Sequence, residues 1–220
     1  MKLYSYYRSS SAWRVRIALH YKGIPHELVP VHLLHEGGEQ HRPDFEIVNP
    51  LRQVPVLELD DANDAEPGAP RFLSQSMAIL EYLEERFPDP PLLPPAPALR
   101  ARARQLAEMV NSGMQPFQNI TLQNEVRGMG HDPLAFTRAF LLRGLGALAR
   151  VAAETAGRFL VGDQPTFADA YLVPQLFGAR RHHIDVEIFP LLRRVEQACE
   201  ELPAFRAARP EAQPDAPREA

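Results

Sequence analysis

The sequence predicts an α/β domain followed by an all-helical domain. Three observations carry this. Short strand-like runs alternate with helical patterns as far as Phe87, ten residues at 88–97 hold six prolines, and the chain beyond keeps helical spacing. Such a proline density excludes a regular helix interior and marks a domain boundary. The expected division is therefore a first domain over 1–87, a linker over 88–97, a helical domain over 98–208 and a loose tail over 209–220.

Residues 2–7, KLYSYY, are aromatic-rich and read as a short strand. After Arg8 and three serines comes AWRVRIALHYKG, with Trp13, Ile17, Ala18 and Tyr21 at helical spacing. A serine in 9–11 can cap this helix and Gly23 can end it. HELVPV at 26–31 reads as a second strand, and the polar stretch 32–47 as a short irregular helix. Over 53–57, QVPVL, Pro55 has no amide proton and so suits a strand's entry. The acidic, turn-rich 60–70 should join this strand to another at 71–73 as an elongated hairpin. Ser74-Gln75-Ser76 precede an amphipathic helix that should end near Phe87. The order is β-α-β-(α)-β-β-α, then helices over roughly 98–127, 133–156, 167–180 and 188–201. The last dozen residues, rich in Pro, Ala and charge, read as loose.

Composition narrows the function. A hydrophobic content of 45% excludes a disordered chain. A net charge of -4, with both signs mixed along the length, offers no general attraction to nucleic acid or anionic membrane. The single cysteine, Cys199, excludes an intramolecular disulfide and a multi-cysteine metal site, and suits a reducing compartment. MKLYSYYRSS is no signal-peptide start, and no apolar run approaches a membrane span, so a cytoplasmic location is expected. His182-His183 and His32/His35 complete no zinc pattern, so no metal is expected. Nucleotide-cradle glycine motifs and GxSxG are also missing from the sequence.

Ser9, Ser10 and Ser11 lie where a strand gives way to a helix. The unpaired amides of a first helical turn, and its dipole, favour an anion such as a thiolate. With no cysteine there, the thiolate must arrive on a ligand, or the serines are simply caps. Ser76 allows the same two readings, as a cap or as a donor to a ligand carboxylate. Pro55 can be trans, or cis with the Val54 backbone turned outward. Arg8, Arg14 and Arg16 could each hold a carboxylate. Arg14 and Arg16 are two apart and so make no single clamp. The run Arg180-Arg181-His182-His183 reads first as a solvated surface. Thr166 with Asp169 resembles a capping box, a structural device for starting a helix.

Several motifs together resemble zeta-class glutathione transferases. They are RSSSAWRVRIAL at 8–19, NPLRQVPVL at 49–57, SQSMAILEYLE at 74–84, QPFQN at 115–119, GDQPTFADAYLVPQ at 162–175 and RRHHID at 180–185. The resemblance covers about residues 2–209 and implies the glutathione-transferase fold, a thioredoxin-like glutathione domain followed by a helical domain, usually as a homodimer. The family includes maleylacetoacetate and maleylpyruvate isomerases, which use glutathione as a cofactor. Its thiolate adds to a cis double bond, and rotation and elimination give the trans product. By resemblance, Ser9 holds the thiolate with Ser10 beside it, and Ser11 stands where many eukaryotic members have cysteine. Val54 and cis-Pro55 pair with the cysteinyl part, Gln53 lies along the glutathione groove, and Gln75 and Ser76 take the γ-glutamyl carboxylate. Arg8 and Arg181 receive substrate carboxylates, with Gln115 and Asn119 as further candidates. The implied activity is cis–trans isomerisation in aromatic catabolism, of maleylacetoacetate first and maleylpyruvate second. Conjugation or dehalogenation of α-halo acids uses the same thiolate, and a non-enzymatic binding role is the reading of a different class. The acidic 61–70 segment is longer than the family's tight hairpin and reads as a surface insertion.

Overall fold

A computed structural model describes residues 1–59 and 68–217. Most of the acidic insertion, 60–67, lies outside the described residues. The chain divides into two compact units, Met1–Pro90 with the described residues from Pro203 onward, and Pro91–Leu202.

In the first unit, β1 (Lys2–Ser5), α1 (Ser10–Tyr21), β2 (Glu27–Pro30), α2 (Pro43–Val48), β3 (Val56–Glu58), β4 (Phe72–Ser74) and α3 (Ser76–Arg86) follow in order. The sheet order is β2-β1-β3-β4. β1 and β2 are parallel, as a helical crossover requires, while β3 is antiparallel to both β1 and β4. Leu3 faces Leu57 across the central pair, and both are fully buried. Two short 3-10 turns and α2 fill the stretch expected to hold an irregular helix.

Helix α1 is buried without a break from Ala12 to Leu19. A helix enclosed on every side shows no amphipathic stripe, so the spacing of Trp13, Ile17 and Ala18 understates its burial. It closes on Gly23 at φ 64°, with Ile24 N donating to Leu19 O.

The C-terminus departs from the expectation. Residues from 209 onward were expected to be loose, but α9 (Pro203–Ala207) and the 3-10 turn Pro210–Ala212 pack into the first unit. Phe205, Ala208 and Gln213 are buried there. The reason is specific satisfaction of polar groups: Arg16 Nε donates to Ala208 O, and Gln213 Nε2 to Ala207 O and Arg209 O.

The second unit is helical, with α4 (Pro97–Asn111), α5 (Ile120–Gly128), α6 (Pro133–Ala152), α7 (Phe167–Arg181) and α8 (Pro190–Glu200). The stretch expected as one helix over 98–127 is two helices joined by a 3-10 turn at Gln115–Gln118. Pro116 cannot donate to a continuing ladder, and Asn119 Oδ1 starts the next helix by accepting from Thr121 N at 2.8 Å. Central α7 begins at the capping box read from the sequence. Asp169 Oδ2 accepts from Thr166 N at 2.7 Å and Thr166 Oγ1 at 2.8 Å, while Oδ1 accepts from Leu160 N at 2.9 Å. Burial of Asp169 pushes its pKa up to about 6.

Candidate functional site

Strand register gathers three predicted segments at one end of the sheet. Tyr4 pairs with Val56, and Val56 with Ser74. The chain leaving β1 toward Ser9, the chain entering β3 through Val54-Pro55 and the chain leaving β4 at Gln75-Ser76 therefore share that end. The Val54–Pro55 peptide is cis, one of the two states the sequence left open.

Ser9 is the N-cap of α1, and its Oγ accepts from Ala12 N at 3.3 Å. A serine hydroxyl has one hydrogen to give and two lone pairs. The cap uses one lone pair, which leaves the hydrogen for a ligand. Ser10 and Ser11 form the first turn and are half-buried, as are Arg8 and Ser9. The Arg8 guanidinium lies 5.9 Å from the Tyr7 ring centroid.

Ser76 differs from the capping alternative. It is the first residue of α3, while Gln75 takes the cap position at φ 72° with no side-chain cap bond. A left-handed non-glycine residue persists only where its surroundings enforce it, and such residues cluster at ligand sites. The Ser76 hydroxyl is occupied from behind, since it accepts from Arg14 Nη1 at 3.1 Å. Gln53 and Gln75 are exposed, and Val54 is buried.

Among the residues that shape this end of the sheet, the sequence offered Arg14 and Arg16 as carboxylate binders and gave Asn49 no role. Arg14 and Arg16 are fully buried, so neither takes a carboxylate from solution. Arg14 ties α1 to the start of α3. Burial lowers the pKa of Arg16 to about 10, which leaves it charged at neutral pH. Asn49 is buried and folds the 49–53 turn, donating from Nδ2 to Gln53 O at 2.7 Å and accepting from Leu51 N at 3.1 Å. The only sign of these roles was an arginine pair in an otherwise apolar helix and an Asn-Pro turn signal. Burial, then a hydrogen bond with Tyr7, pushes the Tyr6 phenol up to about 12, so it is no base at neutral pH.

In the second unit, Gln115 opens the 3-10 turn and Asn119 closes it as the α5 cap. The turn packs on α7 through Gln118, which sequence reasoning did not single out. Gln118 Nε2 donates to Gln175 Oε1 at 2.9 Å, and Gln118 Oε1 lies close against Gly178. The turn therefore meets α7 at Gly178, less than one helical turn from Arg181, the exposed last residue of the helix. The 180–183 run is only partly a solvated surface. Arg180 binds the carboxylate of buried Glu196 through both terminal nitrogens, at 2.7 and 2.6 Å. His182 is half-buried, and that burial, then Arg181 and His183, lowers its pKa. Among the described residues no three His, Cys, Asp or Glu side chains form a group that could hold a metal ion.

The N-terminal domain of the glutathione S-transferases matches residues 3–91, and their C-terminal domain matches residues 142–203. Maleylacetoacetate isomerase of Rattus norvegicus is 41% identical over 217 residues, spanning 99% of this chain and 95% of its own. A bacterial zeta-class glutathione S-transferase, a maleyl pyruvate isomerase solved in holo form, has a TM-score of 0.89 at 41% identity, covering 99% of this chain and 100% of that one. The chain belongs to the zeta class of the glutathione transferase family. A further member, maleylacetoacetate isomerase of Anaeromyxobacter dehalogenans with bound glutathione, has a TM-score of 0.88 at 51% identity, covering 98% of this chain and 97% of that one. The glutathione-transferase fold expected for this zeta-class chain is thereby established. Its donor set fits glutathione: a hydroxyl and first-turn amides for a thiolate, and a second helix start with exposed amide side chains for a peptide carboxylate.

Proposed function

We propose that this protein is a glutathione-dependent cis–trans isomerase that converts maleylacetoacetate to fumarylacetoacetate. The observation that carries the reading is identity above 40% to a maleylacetoacetate isomerase across nearly the full length of both chains. When bound, glutathione supplies the thiolate that adds reversibly to the cis double bond, so that rotation and elimination give the trans product.

The chain's own residues bind, orient and stabilise. Ser9 donates its hydroxyl hydrogen to the sulfur while its lone pair keeps the α1 cap, with Ser10 and Ser11 alongside. Gln53, the Val54 backbone and Pro55 line the peptide part of the cofactor. Gln75 and the α3 start at Ser76 take its γ-glutamyl carboxylate, and Arg14 holds the Ser76 hydroxyl in place. Arg8 and Arg181 each offer a guanidinium to a substrate carboxylate, and Gln115 and Asn119 offer amides. Reversible addition and elimination of a thiolate move no proton from the substrate, so the reading calls for no protein base, and Tyr6, raised to about 12, is not one at neutral pH.

The assigned partners are a small unsaturated diacid and a second copy of the chain. Exposed Ile47 and Leu51 on the first unit suit the homodimer. A cytoplasmic setting agrees with the buried free thiol of Cys199, and no helix among the described residues is long and apolar enough to cross a membrane.

Maleylpyruvate is the second reading, favoured by the likeness to the maleyl pyruvate isomerase. Absorbance assays with each diacid, with and without glutathione, test both. Fast turnover that requires glutathione is expected, and the ratio of kcat/KM values selects the substrate. Failure with both diacids despite glutathione binding would overturn the isomerase reading in favour of conjugation, dehalogenation or a binding role.

A further inference from the structure

The turn Tyr6–Ser9 leaves β1 and delivers Ser9 to α1. Its own closing bond runs from Ser9 N to Tyr6 O at 2.9 Å. The Tyr7 amide and the Tyr6 and Tyr7 carbonyls lie between strand and helix, where no regular ladder serves them. Each is met from elsewhere. Tyr7 N donates to Asp215 Oδ2 at 2.8 Å. Arg16 Nη1 donates to Tyr6 O at 3.3 Å and Nη2 to Tyr7 O at 2.8 Å. The same guanidinium donates through Nε to Ala208 O at 3.1 Å, so one buried cation holds both the turn and the returning C-terminal segment. Gln213 fixes the last approach to Asp215 through two backbone carbonyls. The negative field of Asp215 opposes the effect of burial on Arg16.

We propose that Asp215, brought back by the C-terminal segment, is a positioning residue for Ser9: its carboxylate grips the Tyr7 amide and fixes the turn that aims the Ser9 hydroxyl. The inference rests on the reading of Ser9 as the hydroxyl that holds the glutathione thiolate. A charge-assisted bond of normal length at a backbone amide two residues from Ser9 restricts the turn more than a neutral contact would. Displacing a reacting group by a fraction of an ångström is enough to lose much of its effect.

The test compares Asp215→Ala, Asp215→Asn, a chain truncated after Pro214 and Ser9→Ala in the full-length protein otherwise unchanged. The pKa of bound glutathione is read from its thiolate absorbance, alongside KM for glutathione and kcat. Asp215→Ala and the truncation should raise the bound-thiol pKa and lower kcat/KM for glutathione by roughly tenfold. Asp215→Asn should recover most of this, because its amide oxygen can accept the same N–H. Trp13 fluorescence, from the sole tryptophan and buried in the first unit, checks that the unit stays folded. Wild-type thiol pKa and KM in Asp215→Ala, with Ser9→Ala displaced, would overturn the proposal and leave the Ser9 reading standing. If neither variant moved the bound thiol, the Ser9 reading would fail and the positioning role with it.

Discussion

Ser9→Ala separates two jobs of one hydroxyl. The lone pair that accepts from Ala12 N does so at 3.3 Å, at the long end for such bonds, on a half-buried side chain. Losing an N-cap costs about 1 kcal/mol, and this long bond belongs in the lower part of the usual range. The hydrogen of the same hydroxyl, given to a thiolate, makes a charge-assisted bond worth about 1.5–3 kcal/mol. Removing it should raise the pKa of bound glutathione by roughly one to two and cut turnover roughly 10- to 100-fold at neutral pH. Urea unfolding followed by Trp13 fluorescence should show the small loss of stability, while the diacid assay and thiol titration show the large loss of function. Ser10→Ala and Ser11→Ala should each have a smaller functional effect. A Ser9→Ala protein with the expected small destabilisation but unchanged kcat and kcat/KM would refute the assignment and leave Ser9 as a cap only.

Arg181→Ala should weaken turnover of a diacid much more than reaction with a neutral electrophile; equal losses in kcat/KM would point to a structural role. Asp169→Ala removes the acceptor of three buried donors and should lower the stability of the helical unit by about 3–5 kcal/mol, measured by far-ultraviolet circular dichroism in urea. The Asp169 pKa is raised to about 6 in the fold, so its favourable contribution is present below its unfolded pKa and is lost as pH rises through about 6. The penalty of Asp169→Asn should therefore be largest near pH 4 and shrink toward neutrality, by on the order of 3 kcal/mol, in urea midpoints across that range. Cys199 is fully buried and burial raises its thiol well above the ordinary range, so thiol reagents should label it only after unfolding.

Local signals were legible because they depend on near neighbours. The strand–serine–helix junction at Ser9 and the Thr166/Asp169 box are each closed within a few residues, and both appear in the structure. Beyond the proline cluster every element among the described residues is helical, as the periodicity there predicts. Signals that depend on distant partners were misread. Arg14 and Arg16 look like carboxylate binders until Ser76, Ala208 and the Tyr6–Tyr7 carbonyls close around them. Ser76 looks like a cap until Gln75 takes that position at φ 72°. The break after α4, by contrast, carried a local signal in Pro116 and the Asn119 cap, and only the bond from Gln118 to Gln175, 57 residues away, depends on the fold.

By itself the sequence determined the order of strands and helices as far as Phe87 and, through several motifs in series, the family. Periodicity, turn chemistry and capping act over a few residues, so they survive without knowledge of the fold. Tertiary structure alone decided that Ser9, Pro55 and Ser76 share one end of the sheet, because strand register joins residues dozens of positions apart. It also decided that the C-terminal segment is no loose tail. A run of Pro, Ala and charge carries no local preference for order, and its order comes from bonds to Arg16 and the Tyr7 amide some 190 to 210 residues earlier in the chain.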